Sequence, residues 1–234
     1  MVMEWHAMPD AQTQVAQLAD AVADTLTRVI GTHGSACLAV SGGRSPIPLF
    51  AALRTRPLRW ADVAITLVDE RAVPPDHADS NARLVREHLL QDAAAAARFF
   101  PLVLSPHVHG GSVDVDACVA TANDPFQQPD VAILGMGDDG HTASLFPDAA
   151  ELGEGIDRAR PPAYLPVRPG AAPHRRISLN LSALCAARSL FLAIGGEAKR
   201  AVFDRAAQGE AQHALPVSYV IHQREVPLDV YWTA

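Results

Sequence analysis

Short unbroken apolar runs, each closed by a polar or glycine-rich cluster, set the tightest limit on how this chain can fold. Residues 36–40 (ACLAV) run into Ser41-Gly42-Gly43-Arg44-Ser45, residues 63–68 (VAITLV) into Asp69-Glu70-Arg71, and residues 130–134 (DVAIL) into Gly135-Met136-Gly137-Asp138-Asp139-Gly140-His141. Further strands are expected at 99–104, 163–167, 176–181, 189–194 and 226–232. Runs that are apolar on both faces belong to a parallel sheet covered on both sides. Helical spacing fills the gaps between them. Val15, Leu18, Val22, Leu26, Val29 and Ile30 fall on one stripe over 11–30, with Asp10 as the expected N-cap and Gly31 and Gly34 as the stop. Other helices are expected from Pro46 to residue 53 with Ser45 as cap, and over 81–91, 113–122 and 197–207; the alanine run 93–97 reads as a helix end. The proline-rich stretch 148–175 reads as an irregular loop around the strand 163–167.

Strands alternating with helices give an α/β class: a Rossmann-like, doubly wound, mostly parallel sheet with helices on both faces. It is taken as one domain over residues 1–234, a length that one core can serve. Such sheets bind ligands at the carboxyl ends of their strands. The three polar clusters therefore share one edge.

Gly135-x-Gly137-x-x-Gly140 has the spacing of a dinucleotide loop. Two features argue against that reading. Asp138 and Asp139 stand where a pyrophosphate would sit, and Pro147 interrupts any helix after one or two turns. The charged residues offer another reading. Asp139 and His141, two apart in a turned backbone, can face one cavity, with His141 moving protons and Asp139 fixing its tautomer. The lesser alternative for the stretch is a surface loop whose aspartates cap a helix.

Ser41-Gly42-Gly43-Arg44-Ser45-Pro46 joins a strand to a helix. It reads as a phosphate socket built from backbone amides or as a tight capped turn; it lacks the Lys-Ser/Thr of a Walker loop. Arg71, Arg168, Arg175, Arg176 and Lys199 recur beside strand ends and can collect positive charge on the crevice. The chain as a whole carries a formal charge of −7, which argues against a general nucleic-acid or membrane-surface binder. No window is long and apolar enough to span a bilayer. The opening MVMEWHAMPDAQ carries Glu4 and Asp10 and does not read as a secretory signal. Of the three cysteines, none forms a CxxC pair, and Cys37 and Cys185 read as small core residues of a reducing compartment. A cytoplasmic location follows from these readings. His107 and His109 lack a third ligand at motif spacing, so no metal is expected.

With these clusters assembled, the chain resembles the 6-phosphogluconolactonase family. The resemblance rests on five blocks in order: SGGRSP (41–46), ITLVDERAVP with SN (65–74, 80–81), ILGMGDDGHTASLFP (133–147), RISLN (176–180) and GGEAKRAVF (195–203). It departs from the family where Ser45 stands for a Thr and Arg168 for a common Lys. The resemblance implies hydrolysis of a phosphorylated sugar-acid lactone, with His141 as general base and Asp139 orienting it. Ser41, Gly42, Gly43, Arg176 and Lys199 would grip the phosphate. The oxyanion would be met by amides of the glycine turn or by Arg71. Asp69 would bind a sugar hydroxyl or support Arg71, and Arg168 is a further candidate contact. No cofactor is required and a monomer is expected, with a small-molecule lactone as the partner. The related glucosamine-6-phosphate deaminases carry a Glu where this chain has Phe146, which argues against amine loss with Asp69 as carbon base. A non-catalytic sugar-phosphate sensor is the remaining alternative.

Overall fold

The computed structural model describes residues 3–234; Met1 and Val2, at the head of the segment read as lacking a leader, lie outside the described residues. Strand β1 (Met3–Met8) leads into α1 (Ala11–His33), where Asp10 accepts the Thr13 amide at 2.7 Å. The helix passes the expected stop at Gly31 and ends at Gly34, whose φ of 82° supplies the left-handed cap and sends its amide to Ile30 O. An interior glycine costs only about 1 kcal/mol, so it does not by itself stop a helix. Strand β2 (Ala36–Val40) is followed by α2 (Ile47–Leu53). Pro46, not Ser45, holds the cap position, and among the described residues no side chain caps α2, because the chain first turns through an Ile47 N to Arg44 O bond.

Strands β3 (Val63–Leu67) and β4 (Asp69–Arg71) precede α3 (Asn81–His88). The alanine run becomes a 3-10 turn over Asp92–Ala96, not the end of a long helix. Strand β5 (Arg98–Phe99) is far shorter than expected: Phe100 N still reaches Ile65 O, but Pro101 has no amide to continue the ladder. A small hairpin, β6 (Val108–His109) and β7 (Ser112–Val113), leads to α4 (Val115–Ala122), capped by Asp114. After β8 (Val131–Leu134) the 148–175 stretch holds a helix as well as its strand: α5 (Leu152–Ile156), then β9 (Tyr164–Val167). The chain closes with β10 (Arg176–Leu179), α6 (Leu181–Cys185), β11 (Ser189–Gly195), α7 (Glu197–Ala206), α8 (Val217–His222) and β12 (Leu228–Thr233).

The described residues form a seven-stranded sheet in the order β1-β12-β11-β8-β2-β3-β5, with every pairing parallel. From β2 the chain first builds outward through β3 and β5, then returns to the other side of β2 with β8. The order therefore reverses between β2 and β8, and a crevice opens at their carboxyl ends. The expected 176–181 strand does not join this sheet. It is the centre of a three-stranded antiparallel sheet, β4-β10-β9, with Arg176 opposite Arg71 and Ser178 opposite Asp69. The central strands β2, β3 and β8 are buried at every residue, which is what their unbroken apolar sequence requires.

Candidate active site

The three polar clusters do meet. Ser41, Gly42 and Ser45 from the turn after β2, Asp69 and Arg71 from β4, and Gly135, Gly137 and His141 from the loop after β8 line one cavity of about 480 Å³. Lys199 of α7 and Asn81 of α3 complete its polar wall, and α1 contributes Val15 and Leu18 on the apolar side. The volume lies in the range of small-molecule sites.

The loop after β8 does not open a helix, as a dinucleotide loop would. It folds on itself: Gly137 N donates to His141 O at 2.9 Å, Gly140 N to Gly137 O at 3.1 Å, and His141 N to Asp139 Oδ1 at 3.1 Å. Gly140 sits at φ 77°, a conformation that suits glycine. The same Asp139 oxygen lies 2.6 Å from His141 Nδ1. Thr142 Oγ1 donates to Gly135 O at 2.9 Å, and Val217 N donates to Gly140 O, tying the loop to α8. Asp139 thus holds one nitrogen of the ring, while His141 itself borders the cavity.

Asp69 is nearly buried and accepts from Ser144 Oγ at 2.5 Å; Ser144 N in turn donates to Ser178 Oγ. Arg71 donates to Asp79 O at 2.7 Å. Lys199 Nζ donates to Met136 O, at the mouth of the glycine loop. Arg176 is buried, its Nε finds no partner among the described residues, and its guanidinium carbon lies 5.8 Å from the Phe146 ring centre. Burial lowers the Arg176 pKa, and Arg71 opposite pushes the same way while Asp69 opposes it. Phe146 also packs against His141, ring centres 4.3 Å apart. Of the expected site residues, Ser41, Gly42, Asp69, Arg71, His141 and Lys199 border the cavity, whereas Gly43, Asp139, Arg168 and Arg176 stand behind or outside its lining. Arg168 is exposed and its amide is bonded to Glu151.

A family model described as glucosamine-6-phosphate isomerases/6-phosphogluconolactonase matches residues 9–232. The chain belongs to this family. A 6-phosphogluconolactonase from Neisseria meningitidis serogroup A is 46% identical over 228 residues, covering 97% of this chain and 98% of that protein. One from Pseudomonas putida is 42% identical, covering 97% and 91%. A solved 6-phosphogluconolactonase from Shewanella baltica superposes with a TM-score of 0.89 at 37% identity, covering 100% of this chain and 98% of that one. A monomeric glucosamine-6-phosphate deaminase shares the fold alone, with a TM-score of 0.74 at 16% identity.

Within this family frame, three residues that the sequence reading passed over stand at or behind the wall. Ser144 holds Asp69. Asn81 borders the cavity and donates from Nδ2 to Asp69 O. Glu70 is fully buried, with Oε1 accepting from Arg71 N and Asn81 N and Oε2 from Ala82 N, each at 2.7 Å. Strand alternation carries the signal for Glu70: if Asp69 and Arg71 face the cavity, the residue between them faces the other way.

Near the opposite edge of the sheet, Glu4, His6 and Asp229 bring three potential metal-ligand atoms within 4.8 Å of one another, a grouping absent from the sequence reading. His107 instead meets Thr121 Oγ1 at 3.0 Å. Among the described residues no helix is long and apolar enough to cross a membrane.

Proposed function

We propose that the chain hydrolyses 6-phospho-D-glucono-1,5-lactone to 6-phosphogluconate, with His141 as general base. The observation that carries the reading is the 2.6 Å contact between Asp139 and His141 Nδ1 at the edge of the cavity. A carboxylate on Nδ1 selects the tautomer with its proton there and leaves Nε2 as the basic nitrogen. His141 Nε2 takes a proton from water as the water oxygen bonds to C1. The tetrahedral carbon then expels the ring oxygen, which receives that proton as the C1–O bond breaks. Base and acid assistance of this kind supplies about 10²–10⁴-fold.

The amides of Gly137, Gly140 and His141 are already engaged within the loop. This favours Arg71, which borders the cavity, as the group that meets the developing oxyanion. The phosphoryl group is received by the Ser41–Gly43 turn and Lys199. Arg176, directly opposite Arg71 in the strand register, adds charge to the same wall. Like charges placed opposite one another are unfavourable, and an anionic ligand relieves that. Asp69, fixed by Ser144, accepts a sugar hydroxyl. The apolar ring of Phe146 beside His141 supports lactone hydrolysis over amine loss. The cavity is complete within one chain, which supports a single-domain monomer, and three buried free thiols suit a reducing cytoplasm.

The test is to generate the lactone enzymatically and follow acid release above the spontaneous rate. His141→Ala is expected to lose at least about 100-fold in kcat while still binding 6-phosphogluconate. Unchanged turnover in that variant would overturn the assignment of the base. Ammonia release from glucosamine 6-phosphate by the native protein would favour the deaminase reading.

A further inference from the structure

Asp69 and Arg71 of β4 and Ser41 and Gly42 of the turn after β2 all line the cavity, and one residue touches both segments. Asn81 donates from Nδ2 to Asp69 O at 2.8 Å, while its Oδ1 fills the place a side chain on Gly42 would take. A Cβ on Gly42 would overlap the Asn81 amide, so a side chain there must displace Asn81. What fixes Asn81 is Glu70. The Glu70 carboxylate binds the backbone amides of Asn81 and Ala82 at the start of α3 and the amide of Arg71 on its own strand. Ser80 Oγ adds a longer bond of 3.3 Å. The chain between Arg71 and Asn81 is thereby closed into a loop pinned at both ends by one side chain. A carboxylate at a helix N-terminus is favoured both by unpaired amides and by the helix dipole.

We propose that Glu70 is a positioning residue for substrate: through Asn81 it sets the spacing between the glycine turn, which receives the phosphoryl end of the lactone, and the Asp69–Arg71 strand, which meets its ring. The inference rests on the assignment of the phosphate socket made above. It goes beyond it in giving a buried residue, outside the cavity lining, control over affinity.

Glu70→Gln keeps the size of the side chain but replaces an acceptor facing Ala82 N–H with a donor. Small displacements of a binding wall cost large factors, and a loss of binding that is uniform through the reaction appears in KM with kcat unchanged. In Glu70→Gln, KM for the phosphorylated lactone and the inhibition constant of 6-phosphogluconate are expected to rise together by about 10-fold or more, with kcat within about threefold of native. Asn81→Ala, which removes the spacer and leaves the pinned amides in place, is expected to show the same split. A merely structural role lowers the active fraction, so kcat falls and KM stays; that result in both variants would overturn the proposal. If Glu70→Gln does not fold, Glu70→Asp, which keeps the charge but draws the carboxylate back from the amides, takes its place in the same comparison. Lys199→Met and Ser41→Ala separate the two levels. If these also leave KM and product inhibition unchanged, the socket assignment has failed; if they raise both while Glu70→Gln and Asn81→Ala do not, only the role of Glu70 has.

Discussion

A methyl group on residue 137 would overlap both His141 Nδ1 and Asp139 Oδ1. Gly137 is therefore the space in which the imidazole and its carboxylate meet. Gly137→Ala is expected to lower kcat by about 100-fold, because the ring must leave the position on which the proposed proton transfer depends, while the cavity wall elsewhere is untouched and KM changes little. Steady-state kinetics on fresh lactone, with circular dichroism to confirm an intact fold, check this; a variant with native kcat would show that the loop absorbs the methyl group without moving His141. The pairing of Asp139 with His141 is legible in the sequence, because residues two apart in a turn can share a cavity. The reason for Gly137 is not. Its spacing mimics a dinucleotide loop, and only the folded loop shows that it makes room for two side chains rather than for a pyrophosphate. Ser144 is hidden for a similar reason: its partner, Asp69, is 75 residues away.

At the scale of elements, β4 and α3 are joined by a buried carboxylate, and this has a consequence for stability. Burial pushes the Glu70 carboxyl up to about 7, with Asp69 adding to the rise and the amides of Asn81, Ala82 and Arg71 opposing it; the Arg176 guanidinium also feels its charge. In the unfolded chain the group titrates near ~4.3. Between those values the native state holds a proton that the unfolded state has released, so the contribution of Glu70 is fully present below the unfolded value and is lost as pH rises through about 7. The melting temperature of the native protein minus that of Glu70→Gln is expected to be largest near pH 4, to fall between pH 4 and pH 7, and to level off by pH 8. A difference that grows with pH would mean that the amide donors outweigh burial and keep the carboxylate ionised. Elements of this size are where the sequence says least. Long runs such as α1 and the buried strands announce themselves by period or by unbroken apolarity. By contrast β1, α6 and α8 are six residues or fewer, too short to display a period, and they exist because neighbouring strands and helices offer them a face. The placement of β10 in a second, antiparallel sheet is likewise a tertiary outcome. Its residues alternate polar and apolar, Arg176-Ile177-Ser178-Leu179, yet all four are buried, and alternation alone does not name the sheet the strand joins.

The whole molecule places its chemistry at the reversal of strand order, and that much follows from the alternation of apolar runs and polar clusters. The far edge of the sheet does not follow, since the first strand pairs with the last and only the folded chain brings Met3–Met8 beside Leu228–Thr233. This long-range pairing sits beside one extensive buried cluster that reaches from Leu18 on α1 to Tyr231 on β12. The three free cysteines are buried at separate places, Cys118 on α4 and Cys185 on α6 within this cluster and Cys37 on the central strand β2. Burial pushes the Cys37 thiol up to about 12, with Asp130 adding to it, and the Cys185 thiol up to about 11. The thiolate is the reactive form, so at pH 8 both are slow even before access is considered. A thiol reagent is therefore expected to find well under one reactive group per native chain in the time it titrates all three in denaturant. If the core opens as a unit, the labelling rate of each cysteine should climb over the same range of urea in which far-UV circular dichroism is lost. Peptide mapping of the labelled chain separates the sites. Early labelling confined to Cys185 would show that α6 opens on its own, and would divide the molecule into a sheet that holds and a helical flank that does not.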